Sequence, residues 1–306
     1  EISAADKKIL VHLVSWGTVS APLPPLGRPV VWGPVGGGQI APAAFRAYFG
    51  ETWRFEQLRS LRVRLLPHLP CWRYAVQSAD VALATNRETE TLLRRGGARD
   101  VRFWLDCGLP SAFIEKVERR PMGGGLRLLW AGRLEPHKGL PLALEALAQV
   151  PDNSVTLEVA GAGSMQREWR EMVQRLGLSS RVRFLGWIPH PKMPELFRRA
   201  DAFIFTSLRD SSGSQVLEAM GFGLPILTLD HQGVGWFVPK EAGVKVPVST
   251  PAETIRKLAE GIRILQDPKV RFMMSRAAHR FAQQQTWDRR AEAMLSLYEE
   301  ILARRS

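Results

Sequence analysis

Residues 126–160 read LRLLWAGRLEPHKGLPLALEALAQVPDNSVTLEVA. The stretch opens on an apolar run, Leu126–Ala131, and turns at a glycine. Leucine and alanine then recur at helical spacing over Leu140–Gln149, and Val155–Ala160 is a second apolar run. Strand, helix, strand in that order predicts a parallel pair joined by a crossover helix. AFIF at residues 202–205 is continuously apolar, and LRLLW here is apolar but for Arg127, as expected of strands covered on both faces.

The rhythm continues downstream. Met165–Leu176 is predicted as a helix, Val182–Leu185 as a strand, Pro194–Arg199 as a short helix and Ala202–Thr206 as a strand. Gln215–Met220 follows as a helix and Pro225–Leu229 as a strand. Strands alternating with helices imply a parallel sheet with helices on both faces, a Rossmann-like domain. Upstream the pattern thins. Ile9–Ser15, Val30–Trp32 and Val81–Thr85 look like strands of another α/β unit with too few repeats to be complete. Gly108-Leu-Pro-Ser-Ala-Phe113 punctuates the boundary, and Pro121-Met-Gly-Gly-Gly125 is a flexible turn. Residues 1–107, 108–125 and 126–285 therefore read as a partial first domain, a linker and a second domain. The tail is helical, over Ala252–Gln266 and Arg289–Ala303.

The chain has 306 residues, 45% of them hydrophobic and 24% charged, which excludes a disordered or collagenous protein. No apolar run reaches the roughly 20 residues of a membrane span; the nearest, residues 12–38, is broken by five prolines. Cys71 and Cys107 form no metal-ligand spacing and no disulfide framework, which favours a reducing compartment. The 42 basic against 30 acidic residues, net +12, favour anionic partners. The excess is dense between Ala41 and Ala75, where Arg46, Arg54, Arg59, Arg62, Arg64 and Arg73 face only Glu51 and Glu56. Phe45, Tyr48, Phe49, Trp53, Phe55, Trp72 and Tyr74 interleave with them. That pattern suits an anionic membrane or an acidic acceptor; the plainer reading is a solvated face over core aromatics. No zinc-finger, RRM or basic-zipper signature accompanies the charge, so nucleic acid is not an expected partner.

In open parallel sheets, ligands bind where strand ends enter helices. After Leu126–Ala131 comes Gly132-Arg133-Leu-Glu-Pro-His-Lys138-Gly139, two cations five residues apart before a helix, which suits a diphosphate. After Val155–Ala160, Gly161-Ala162-Gly163 begins like a dinucleotide fingerprint, but Gln166 stands at its third glycine, so turn glycines are the better reading. Gly186-Trp187-Ile188 is a turn whose backbone could face a base. The most informative loop is Asp210-Ser-Ser-Gly213-Ser-Gln-Val-Leu-Glu218. Gly213 sits where backbone N–H groups can approach a ligand. Glu218 can accept from both hydroxyls of a ribose, and Asp210 can do the same for a sugar or stabilise positive charge at its anomeric carbon. The alternatives are a surface helix residue for Glu218 and a turn former for Asp210.

Together these residues resemble the retaining glycosyltransferase family 4 (group 1), whose fold is the GT-B arrangement of two facing Rossmann-like domains. The matching pieces are LLWAGRLEPHKGLPLALEAL, LEVAGAG, VRFLGWI and FTSLRDSSGSQVLEAMGFGLPIL, in the family's order, with PVVWGPVGGGQ and ADVALATNRET upstream. The resemblance implies an α/β fold of GT-B type with parallel sheets and an incomplete N-terminal domain on the acceptor side. Its C-terminal domain would hold the donor, and residues 286–306 would form a helix crossing back to the first domain. It implies that Arg133 and Lys138 bind the donor diphosphate, with Gly132 at the turn before them. Glu218 would hold the ribose and Asp210 would address the donor sugar. Gly213 would face sugar or phosphate, and Ile188 the base.

Two positions depart from the family pattern. Asp210 stands where the family has glutamate, one methylene longer. The acceptor-side histidine is missing from Gly33-Pro-Val-Gly-Gly-Gly38, and His12 is its nearest substitute, read otherwise as a core or capping histidine. The family's opening strands and first glycine-rich loop are also missing, so the chain reads as a fragment. No DxD motif occurs, in keeping with a family that needs no divalent metal. The implied activity is retaining transfer from a nucleotide diphosphate-sugar to a glycan or lipid-linked acceptor hydroxyl, with no cofactor. The cleft would close about Gly108–Phe113. The setting would be polysaccharide biosynthesis in the cytoplasm, with peripheral contact at the inner membrane face through Arg46–Arg73. A nucleotide-sugar-binding protein without transfer activity is the alternative. A nicotinamide-dependent dehydrogenase would require a third glycine at position 166.

Overall fold

The computed structural model describes residues 9–14, 27–114 and 125–304. Residues 15–26 of the proline-broken stretch, Ser15 included, and residues 121–124 of the turn before Gly125 therefore lie outside the described residues. The chain divides into two units.

The first unit comprises residues 1–40, 54–108 and 287–306. Its sheet holds β1 (Val11–Leu13), β2 (Val30–Val35), β3 (Val81–Ala84) and β4 (Val101–Phe103), in that order and all parallel. Helices α1 (Trp53–Leu65), α2 (Pro70–Ser78) and α3 (Arg87–Gly96) lie between these strands in sequence. Sequence reading misses β4, an edge strand of three residues whose VRF carries a central arginine. One sheet face packs Trp32, Ala82 and Ala84 against Val63, Trp72, Val76 and Leu93. On the other, Val31, Val81 and Leu83 meet Leu297 and Ile301, which belong to the last helix (Trp287–Ala303). Asn86 caps α3 by accepting from the Thr89 N–H at 2.8 Å, and Gly97, left-handed at φ +92°, ends it.

The second unit comprises residues 41–53 and 109–286. Ala41–Trp53 thus groups with it rather than with residues 1–107: Phe45 and Phe49 are buried among Leu126, Leu140, Leu144 and their neighbours. The sheet contains β5 (Leu126–Ala131), β6 (Val155–Ala160), β7 (Val182–Gly186), β8 (Ala202–Phe205), β9 (Ile226–Leu229) and β10 (Gly243–Val246). Between them run α4 (Leu140–Ala148), α5 (Gln166–Arg175), α6 (Met193–Arg199), α7 (Ser214–Gly221) and α8 (Gln232–Phe237). Then follow α9 (Pro251–Gln266) and α10 (Pro268–Gln283), and α11 is the Trp287–Ala303 helix of the first unit.

Spatial order in the second sheet is β10-β9-β8-β5-β6-β7, every pair parallel. The chain starts at the middle strand β5, moves outward through β6 and β7, then returns to the other side of β5 at β8. That reversal makes β5/β8 the topological switch point, the usual crevice for ligands in this architecture. Strands β8 and β9 and helix α4 are buried nearly throughout, which explains their unbroken apolar sequences. Two elements are not expected from the sequence: β10, whose GVKV includes a lysine at the sheet edge, and α10, capped by the Asp267 carboxylate.

Candidate functional site

A cavity of about 390 Å³ lies at the carboxyl ends of β5, β6 and β7, against α7. Gly132 and Arg133 line it from the loop after β5, Gly161 and Ala162 from the loop after β6, and Trp187, Ile188 and His190 from the loop after β7. Ser214, Gln215 and Glu218 contribute the wall from α7. Of the residues singled out in sequence, Gly132, Arg133, Ile188 and Glu218 meet in this one cavity. Trp187 belongs to the same turn as Ile188; His190, further along that loop, and Gln215, on α7 before Glu218, are additional to the sequence reading.

Glu218 lies one turn inside α7. Burial pushes its carboxyl above the usual carboxylate range, and His190 Nε2, 3.2 Å from Oε1, partly offsets the shift. The imidazole is itself stacked on Phe113, with ring centroids 5.3 Å apart. A raised pKa has two opposite consequences. The folded state gains stability as pH falls, because the neutral acid is the form burial prefers. A ligand that needs carboxylate acceptors is lost over the same interval. Affinity for a ribose-bearing ligand is therefore expected to fall on acidification from about pH 7 to about pH 5, a fall absent in Glu218→Gln. Titrations of both proteins at the two pH values check this, and parallel pH dependence in the two would refute it.

The cations are organised by the loop from Glu135 to Gly139. The His137 carbonyl accepts from the Leu208 N–H at 2.8 Å and the Ser207 hydroxyl at 3.1 Å, tying the loop after β5 to the loop after β8. The His137 imidazole is held down to about 4, first by burial and then by Arg209 and Lys138, with Arg133 adding to the effect and Asp210 opposing it. Three cations thus surround a neutral ring with one carboxylate among them, an arrangement that suits an anion.

The Lys138 ammonium pairs with the Asp210 carboxylate, and the Ser211 N–H donates to the other Asp210 oxygen at 2.9 Å. Gln232 staples this loop from the start of α8. Its carboxamide oxygen accepts from the Asp210 N–H at 2.6 Å, and its amide donates to the Leu208 carbonyl at 3.1 Å. Gln232 is left-handed at φ +54°, a strained state for a non-glycine residue. Asp210 lines a smaller recess with Ser207, His231 and Gln232 rather than the main cavity. Gly213, left-handed at φ +69°, caps α7; a Cβ there would lie 2.8 Å from Val234.

His12 lies in the first unit and engages both ring nitrogens. Nε2 donates to the Gly33 carbonyl at 2.7 Å, which leaves Nδ1 to accept from the Tyr298 hydroxyl at 2.5 Å. Burial lowers its pKa. These bonds tie β1 to Gly33 within β2 and to α11.

Residues 114–281 match the profile of the family described as glycosyl transferases group 1, just over half of the chain. A glycogen synthase of Mycobacterium tuberculosis is 30% identical over 195 residues, 62% of this chain and 46% of that protein. A D-inositol 3-phosphate glycosyltransferase of Corynebacterium glutamicum is 27% identical over 256 residues, 76% of this chain and 60% of that protein. The chain spans about half the length of the first of these. Among solved structures, Anabaena HepE in complex with UDP superposes with a TM-score of 0.63 at 22% identity, over 89% of this chain and 73% of that one. That likeness identifies a GT-B fold, built on parallel α/β sheets such as the two described above.

Proposed function

This chain belongs to the group 1 glycosyl transferases, and from that premise we propose that it takes part in moving a sugar from a nucleoside diphosphate-sugar to an acceptor hydroxyl, with the anomeric configuration retained. The observation that carries this reading is the meeting of Arg133, Ile188 and Glu218 in one cavity at the switch point, with Lys138 and Arg209 grouped about His137 on the loops that frame it. Glu218 would accept from the ribose hydroxyls, and the Trp187-Ile188 turn would face the base. Arg133 and Lys138 would hold the diphosphate and stabilise the negative charge that grows on it as the bond to the sugar breaks. Positioned donors of that kind are worth on the order of 10²–10³-fold in rate each. Asp210 would face the cationic anomeric centre. Neutralisation by fixed cations requires no divalent metal. The acceptor would be a glycan or lipid-linked glycan hydroxyl. The relatives' names support glycosyl transfer, and HepE's UDP supports a uridine nucleotide as the first to test.

Calorimetric titration with UDP, GDP and ADP, with and without magnesium, tests the donor site. One nucleotide is expected to bind equally well in both conditions, and Glu218→Ala is expected to weaken it by about 1.5–3 kcal/mol, the range for hydrogen bonds to charged groups. A folded chain that binds none of the three, or an unaffected Glu218→Ala variant, would overturn the assignment. Binding without transfer would favour a nucleotide-sugar-binding role for the chain.

A further inference from the structure

Helix α1 is inverted. The side it turns inward carries Glu56, Ser60 and Val63, all buried. Its outward side carries Phe55, Leu58, Leu61 and Leu65, between 49% and 64% exposed. These four recur at intervals of three, three and four residues, so they form one stripe along the helix. Beyond the helix end, Leu69 and Tyr74 are also exposed. Aliphatic side chains so placed contribute nothing to the core, and folding alone gives no reason for them.

The exposed charged side chains from Arg54 to Tyr74 are all of one sign. Arg54, Arg62, Arg64 and Arg73 are exposed, and Arg54 lies over the Phe55 ring at 5.1 Å. The only carboxylate between Arg54 and Ala79 is Glu56, which is buried. Arg59 is half-buried and turned to the protein, donating to the Gln39 and Gly37 carbonyls. Phe45, Phe49 and Trp72, which the sequence placed among the interleaved aromatics, are core residues. The face is therefore built of leucines and arginines, and it begins at Arg54.

We propose that this face of α1 docks the protein on an anionic phospholipid surface, the helix lying in the plane of the interface. A helix with an apolar stripe set among arginines buries the stripe at the level of the acyl boundary while the guanidinium groups meet lipid phosphates. Among the described residues no helix is long and apolar enough to cross a membrane, so the contact is made at the surface. A protein partner would have to be acidic as well as apolar to match this face, whereas an anionic bilayer supplies both properties over its whole area.

Sedimentation of the chain with phosphatidylcholine vesicles, with and without phosphatidylglycerol, tests the proposal. The expected result is binding only to the phosphatidylglycerol vesicles, weakening as salt rises. Arg62→Gln with Arg64→Gln should lower the partition coefficient roughly fivefold per charge. Leu58→Ser with Leu61→Ser should lower it at least about tenfold. Both variants alter exposed side chains, so thermal unfolding should be unchanged. Absence of wild-type binding, equal binding by the variants, or a salt-insensitive dimer dispersed by the leucine variant would each overturn it. The inference stands apart from the transferase reading, because nucleotide titration addresses the second unit and vesicle sedimentation the first.

Discussion

Gly161→Ala is expected to destabilise the second unit by about 3 kcal/mol or more and to abolish nucleotide binding. Gly161 has φ +144°, and a Cβ built on it would lie 1.8 Å from the carbonyl oxygen of Gly132. That atom is backbone and cannot swing aside as a side chain could. The Gly132 N–H donates to Ala160 at 3.0 Å, and the Gly161 N–H donates to Gly186 at 2.8 Å. These backbone bonds therefore link the ends of β5, β6 and β7, and Gly132, Ala160 and Gly161 line the cavity. Relief of the clash moves Gly132, and with it Arg133. Gly177→Ala is the control: φ there is +68°, and nothing lies within 4 Å of the added carbon. It should cost about 1 kcal/mol, the backbone strain alone. Urea denaturation of both variants, followed by circular dichroism, measures the difference. Equal midpoints would show that the loops part without resistance.

The role of Gly161 shows how far the sequence can be read. The GxG was recognisable as turn glycines rather than a dinucleotide fingerprint, because Gln166 stands at its third position. The close approach that demands the first glycine depends on a partner strand 29 residues earlier, as the Gly132–Gly161 contact shows. The central strands β8 and β9 were legible for a simple reason: both faces are covered, so their sequences are almost wholly apolar. Edge strands β4 and β10 escaped because burial on fewer sides leaves room for arginine and lysine, which blurs the signal. Ala41–Trp53 escaped because its aromatics describe burial without naming the unit that buries them. His190 reaches Glu218 only because β7 ends where α7 begins its second turn, a fact of sheet order and not of spacing.

The aspartate at position 210 is the departure with the largest chemical consequence. An aspartate carboxylate lies one methylene closer to its own backbone than a glutamate would. Here it is held by the Ser211 N–H on one oxygen and by Lys138 on the other. The side chains of Lys138 and Asp210 are only 13% and 20% exposed, so water screens the pair weakly. A cation proposed to bind diphosphate is thus already satisfied by a carboxylate proposed to serve the sugar. Donor binding must share Lys138 between two anions or take it from Asp210.

Lys138→Met and Asp210→Asn are therefore expected to move nucleoside diphosphate affinity in opposite directions. Lys138→Met removes a charge-assisted bond worth about 1.5–3 kcal/mol. It also leaves the Asp210 carboxylate facing the phosphates without a counter-charge, so the total loss should reach about 3 kcal/mol, or roughly a hundredfold. Asp210→Asn removes the competing anion and leaves Lys138 free to meet the diphosphate, so binding should hold or tighten severalfold. Transfer in that variant should still fall on the order of 10²-fold, since the negative group facing the sugar is gone. In the double variant the repulsion disappears with the carboxylate, and part of the Lys138→Met loss should return. A coupling of about 1–3 kcal/mol between the two sites is the expected signature of residues in contact. Calorimetry on the four proteins measures it directly. Additive losses in both single variants would mean that the ion pair is a structural tie and that the diphosphate rests on Arg133 alone.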